Sequence, residues 1–153
     1  MGEETNRKDA KEDIYDDYNS ILRESSVLTS ISGIVFGFLL SISINSPVGF
    51  STEDSLILMI AFYSISFAIS LFVMPVVYHH AQYPYKDLEK FKIRAHYFIK
   101  VGMIPGGITL YLGLLLGLRF SIRMGIEPQY ENFAFILAIV PFILVYTIYK
   151  KRK

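Results

Sequence analysis

Four stretches of this chain contain no Asp, Glu, Lys or Arg: residues 27–45, 55–85, 101–118 and 132–149, the shortest of them 18 residues long. About 20 apolar residues carry an α-helix across the hydrocarbon core of a bilayer. A soluble bundle would need a polar face on each of its helices, and runs of this kind leave none. In hydrocarbon every backbone N–H and C=O must be paired within the protein, which the α-helix achieves on its own. The expected fold is therefore all-α: a membrane-embedded, up-down bundle of four transmembrane helices, in a chain of 153 residues of which 52% are apolar and 19% charged.

The segments between these runs set the organisation. Residues 1–12, "MGEETNRKDAKE", are charged and poor in large apolar residues, and are expected to form a disordered acidic tail. From Asp13 onward, Ile14, Tyr15, Tyr18, Ile21 and Leu22 recur at helical spacing. They predict an amphipathic N-terminal helix leading into the first span. That span is longer than a signal-peptide core and its flank is acidic, so it reads as retained. Residues 13–153 are expected to form a single four-helix membrane domain, with spans at about 26–45, 54–79, 95–119 and 131–149. Pro84 suits a helix start. Leu88, Phe91 and Ala95 share a face beyond it, predicting an extension of the third helix outside the membrane, and "SIRMGIEPQY" reads as the following loop.

Basic residues orient the bundle. Lys86, Lys90, Lys92 and Arg94 lie in the central loop and Lys150, Lys151, Arg152 and Lys153 at the end, against Arg119 and Arg123 on the opposite side. By the positive-inside rule both termini and the central loop are expected in the cytoplasm, with the protein in the cell membrane. Lys86, Lys90, Lys92 and Arg94 are also suited to anionic lipid. The acidic tail disfavours nucleic acid as a partner.

The third apolar run, "KVGMIPGGITLYLGLLLGLRF", holds five glycines and a proline, the two poorest helix formers. Gly102, Gly106, Gly113 and Gly117 fall within an arc of roughly 60° on a helix. Ser26, Ser30, Gly33, Gly37 and Ser41 make a similar stripe on the first span. Such stripes let helix backbones approach closely. They are expected to pack against another helix, within the bundle or in a protein partner or second copy. Leu115, across the helix from the stripe, is expected to matter much less. A second reading has "MIPGG" unwound around Pro105 to line an ion or substrate site.

Little here points to chemistry. There is no cysteine, so disulfides and thiolate ligands are excluded. His79, His80 and His96 flank the central loop. They are weak candidates for a metal or haem site, because imidazole is a versatile ligand but their spacing matches no known ligand pattern. No cofactor is expected. No carboxylate lies inside the four uncharged runs, which argues against proton-coupled transport. Tyr63 and Tyr111 are mid-span hydroxyls expected to hydrogen-bond within the bundle. Lys100 is close enough to the cytoplasmic boundary to snorkel back to it.

"ILRESSVLTSISGIVFGFLL" and "LFVMPVVYHH", followed by a basic run and a glycine-containing third span, resemble a prokaryotic family of small four-span membrane proteins with no assigned function. The likeness extends over residues 18–120, and Pro75, Tyr78 and His79 are the positions that match. His80 stands where that family usually has a basic residue. The resemblance implies the four-span fold and transfers no catalytic residue. The expected role is that of a non-catalytic structural or accessory subunit, or a scaffold, of a membrane assembly. A small homo-oligomeric transporter or channel is the alternative, and a His-based metal or haem membrane enzyme the third reading.

Overall fold

A computed structural model describes residues 2–82, 88–125 and 130–151, with side chains from Tyr18 to Ala81, Glu89 to Gly125 and Tyr130 to Lys151. It consists of four α-helices: α1 (Gly2–Ile44), α2 (Thr52–Gln82), α3 (Leu88–Gly125) and α4 (Phe133–Lys151). Each is long and apolar enough to cross a membrane. The all-α fold and its four spans are as the uncharged runs dictate, and the described residues include no strand. The N-terminal segment expected to be disordered falls within the bounds of α1. Its side chains lie outside the described residues.

α2 and α3 run beyond the spans expected from sequence at both ends. α3 continues through Arg123 to Gly125, so Arg119 and Arg123 sit one turn apart on a helix and not in a loop. Pro75, Pro105 and Pro141 all lie inside helices. "MIPGG" in particular is helical throughout, which removes the unwound segment that the second reading of this stretch required.

Contacts divide the chain into two units, residues 1–37 with 65–106 and residues 38–64 with 107–153. In the first unit Ile21, Phe91, Ala95 and Ile99 form the core, with Tyr18, Leu22, Leu28 and Tyr78 packed around them. Pro75 is fully buried here. It has no N–H to give to the carbonyl of Leu71, and its ring disturbs the turn before it. Ser25, also fully buried, donates its hydroxyl to the adjoining Phe72 carbonyl. A serine on a neighbouring helix is the usual relief for a proline in a membrane span.

In the second unit Leu115, Ile122, Ala134 and Ala138 form the core. Ala134 and Ala138 are the buried residues of α4. Their small side chains let α4 lie close to α3, and Tyr111 meets Phe142 edge-on, with ring centroids 6.2 Å apart. Beyond Ala138 every described residue of α4 is exposed.

The glycine stripe of α3 has two different surroundings. A Cβ placed on Gly102 would come within 2.7 Å of the Phe72 ring, and one on Gly106 would be 3.9 Å from it. Around Gly113 and Gly117 there is nothing within 4 Å. Buried positions on α3 explain the contrast. In the first unit they include Phe91, Ala95, Ile99 and Gly102, on the stripe's own face. In the second they include Leu115, Arg119 and Ile122, on the opposite face. Leu115 is 1% exposed, so the expectation that it matters less than Gly113 and Gly117 is reversed. Gly33 and Gly37 on α1 likewise meet nothing within 4 Å.

Substitution tests this division. Gly102→Ala should destabilise the detergent-solubilised protein by about 1–3 kcal/mol, because the buried Phe72 ring cannot simply swing away. Gly113→Ala should be neutral or stabilising by up to about 1 kcal/mol, through helix propensity alone. Leu115→Ala should cost about 2–5 kcal/mol. Thermal or denaturant unfolding of the three variants gives the order directly.

Candidate functional site

The most polar constellation in the described residues lies in the second unit, where the start of α2, the end of α3 and the approach to α4 meet. It begins with a turn. Gly49 has φ +86°, a conformation that costs a glycine nothing. The Phe50 N–H reaches the Pro47 carbonyl at 3.1 Å, closing a turn whose third residue needs that positive φ. α2 then starts with a reciprocal cap. Ser51 Oγ accepts the Asp54 N–H at 3.2 Å, and the Asp54 carboxylate accepts the Ser51 N–H at 2.9 Å. This S-x-x-D arrangement satisfies two of the N–H groups left over at a helix start.

Capping also aims Asp54 at α3. Arg119 Nε lies 3.0 Å from Asp54 Oδ1, and Arg123 Nη1 donates to Asp54 Oδ2 at 2.8 Å. Arg119 Nη2 lies 2.9 Å from Glu53 Oε2 and 2.7 Å from Glu131 Oε1. Arg123 pairs with Glu131 as well, and donates to the Gly49 carbonyl. The Arg119 guanidinium lies 5.7 Å from the centre of the Phe135 ring. Asp54 is 3% exposed and Arg119 6%. Their Oδ1 and Nε atoms are in ionic contact yet not aligned for a hydrogen bond. Three carboxylates thus surround two guanidiniums, leaving one formal negative charge in excess.

Neither arginine loses its proton at accessible pH, and the Ser51 hydroxyl donates to Asp54 Oδ2 at 2.8 Å as part of the cap. The cluster is a tie: Arg119 from α3 holds the beginning of α2 and the approach to α4. No sequence motif marks this site: Arg119 and Arg123 read from sequence only as charges for orientation, apart from the acids of the same loops. Glu53, Asp54 and Glu131 stand at loop ends that an up-down topology puts on the same side as both arginines, and that was the available signal.

The first unit holds the positions singled out by sequence. Tyr18 is hydrogen-bonded through its hydroxyl to His79 Nδ1. Its ring also lies 5.2 Å from that of Phe91. Tyr78 stacks on Phe91, with centroids 5.6 Å apart and planes 12° from parallel. Arg94 Nη1 donates to the Tyr78 hydroxyl at 2.7 Å. So Pro75, Tyr78 and His79 all take part in how α2 packs in this unit. His80 lies beside His79, with ring centroids 5.1 Å apart, and is exposed, as is His96. Among the described residues no three His, Asp or Glu side chains come together in a way that could hold a metal ion.

The remaining candidates sit apart. Lys90, Lys92 and Arg94 are exposed, and Lys86 lies outside the described residues. Tyr63 is turned outward and is 75% exposed, while Tyr111 is half-buried against Phe142. No family model, curated protein or solved structure matches the chain.

The arginine cluster makes a specific expectation. Arg119→Met should destabilise the protein by about 3–5 kcal/mol, because it strands the Asp54 carboxylate in a buried position. Adding Asp54→Asn to Arg119→Met should recover part of that loss, since neither partner is then charged. A double-mutant cycle on unfolding in detergent measures the coupling.

Proposed function

We propose that this four-span membrane protein is a non-catalytic accessory subunit or scaffold of a membrane assembly. The observation that carries the reading is the outward small-residue face of α1. Ser26, Ser30, Gly33, Gly37 and Ser41 are all exposed, and a Cβ on Gly33 or Gly37 would meet nothing within 4 Å. They lie roughly opposite Ser25, Ser32 and Leu39, the buried side of the same helix. A lipid-facing helix gains nothing from small residues. A helix that receives another backbone does, because close approach is a main source of association in lipid.

The described polar clusters fit a structural role. One ties helix ends together with arginines, and the other is an aromatic and histidine packing centre without a metal-ligand set among the described residues. Both termini and the central loop are placed in the cytoplasm on the basic-residue excess.

Affinity purification from the native membrane tests the role. Wild-type protein should bring down a larger membrane complex. Gly33→Leu with Gly37→Leu should lose that complex while its own unfolding temperature stays unchanged. A homo-oligomer with flux in liposomes, and no other protein attached, would favour the channel or transporter instead. For orientation, a single cysteine at Val48, which is 91% exposed, should react with an impermeant thiol reagent in intact cells. One at Ala81 should react only after the cells are opened.

A further inference from the structure

Arg119 and Arg123 are saturated by carboxylates, and Arg94 is not. Its guanidinium lies over the Tyr78 ring, 5.7 Å from the centroid, and Nη1 donates to the Tyr78 hydroxyl. No carboxylate among the described residues pairs with it. The same is true of Lys100, the last charged residue before the uncharged run 101–118. Arg94 is therefore held in place by a neutral phenol, with the rest of its fork turned to no anion of the described chain.

Between these two cations stands Tyr97. Arg94, Tyr97 and Lys100 are three residues apart, so they follow one ridge of α3, about 60° and about 4.5 Å of rise per step. All three are exposed, Tyr97 by 63%. Phe91, Ala95 and Ile99 occupy the other side of these turns and are buried in the core, which fixes the ridge outward. Helical side chains lean toward the helix N-terminus, and a lysine stem can lie along an apolar surface while its head stays polar. Lys100 thus brings its ammonium back toward the level of Tyr97. Past it, one turn beyond Lys100, come Met103 and Ile104, both exposed.

The order along this face is cation, phenol, cation, then aliphatic. We propose that the Arg94–Tyr97–Lys100 ridge binds the phosphate of an anionic phospholipid, with an acyl chain lying along Met103 and Ile104. An arginine fork matches phosphate oxygens in pairs, lysine adds a point charge, and tyrosine adds an O–H donor. The apolar continuation is what selects a lipid over a free anion, which would leave Met103 and Ile104 unused. The site does not depend on the accessory-subunit reading and would serve any of the three functional classes.

Native mass spectrometry of the full chain, released from micelles doped with phosphatidylglycerol or phosphatidylcholine, tests the site. Phosphatidylglycerol should be retained and phosphatidylcholine should not. At about 1 kcal/mol per basic residue near the surface, Lys100→Gln should weaken retention about 5-fold and Arg94→Gln with Lys100→Gln about 30-fold. Lys100 makes no described contact, so its single variant guards against a folding artefact. Lys150→Gln with Lys151→Gln should retain the lipid as wild type does. Unchanged retention in the Arg94/Lys100 double variant would overturn the proposal. So would equal retention of phosphatidylcholine, or displacement of the lipid by millimolar inorganic phosphate, which would mark a free-anion site.

Discussion

In hydrocarbon a backbone N–H or C=O has no water to turn to, and each one left unpaired costs several kcal/mol. Most of this molecule's organisation follows from meeting that constraint. It forces four helices from four uncharged runs, and it sets the terms on which prolines are admitted. Pro75 removes a donor from the middle of α2, and the buried hydroxyl of Ser25 reaches the Phe72 carbonyl one turn earlier. At the start of α2 the Ser51–Asp54 cap answers two N–H groups that no helix can satisfy internally.

The cap links backbone chemistry to charge. Asp54 is drawn into the protein to close the helix, and once buried it needs a cation. Arg119 and Arg123 supply it from the end of α3, and Glu131 and Glu53 share the same guanidiniums. A buried ion pair is weak evidence of net stability, since desolvation offsets the attraction. Its value lies in specificity. A guanidinium with several carboxylate partners tolerates few alternative placements of the α3 end. The pairing also accounts for α3 running on to Gly125, where turn residues suggested a loop.

Packing in lipid has no hydrophobic drive of its own, so it depends on how closely surfaces approach. The structure separates small residues that are used within the chain from those that are not. Gly102, Ala134 and Ala138 receive neighbours, Gly102 from Phe72 and the alanines from α3. Gly33, Gly37, Gly113 and Gly117 receive none. The same residue type on the same helix, at helical spacing, serves two surroundings. Within the chain, only the closed approach at Gly102 bears on stability.

Charge placement alone determined the membrane class, the four spans and the helical character, because burying charge or unpaired backbone in hydrocarbon is too costly to be overridden by packing. Sequence resemblance, and not charge, singled out Pro75, Tyr78 and His79, although not what they touch. Tertiary structure decided which face of each helix is buried. Hydrophobic periodicity cannot show this in a span apolar on every side, so Leu115 could not be told from a lipid-facing leucine. It likewise decided that Asp54, Arg119, Arg123 and Glu131 converge, since the paired residues lie up to 69 positions apart in the chain (Asp54 to Arg123). Only folding brings such residues within ionic reach.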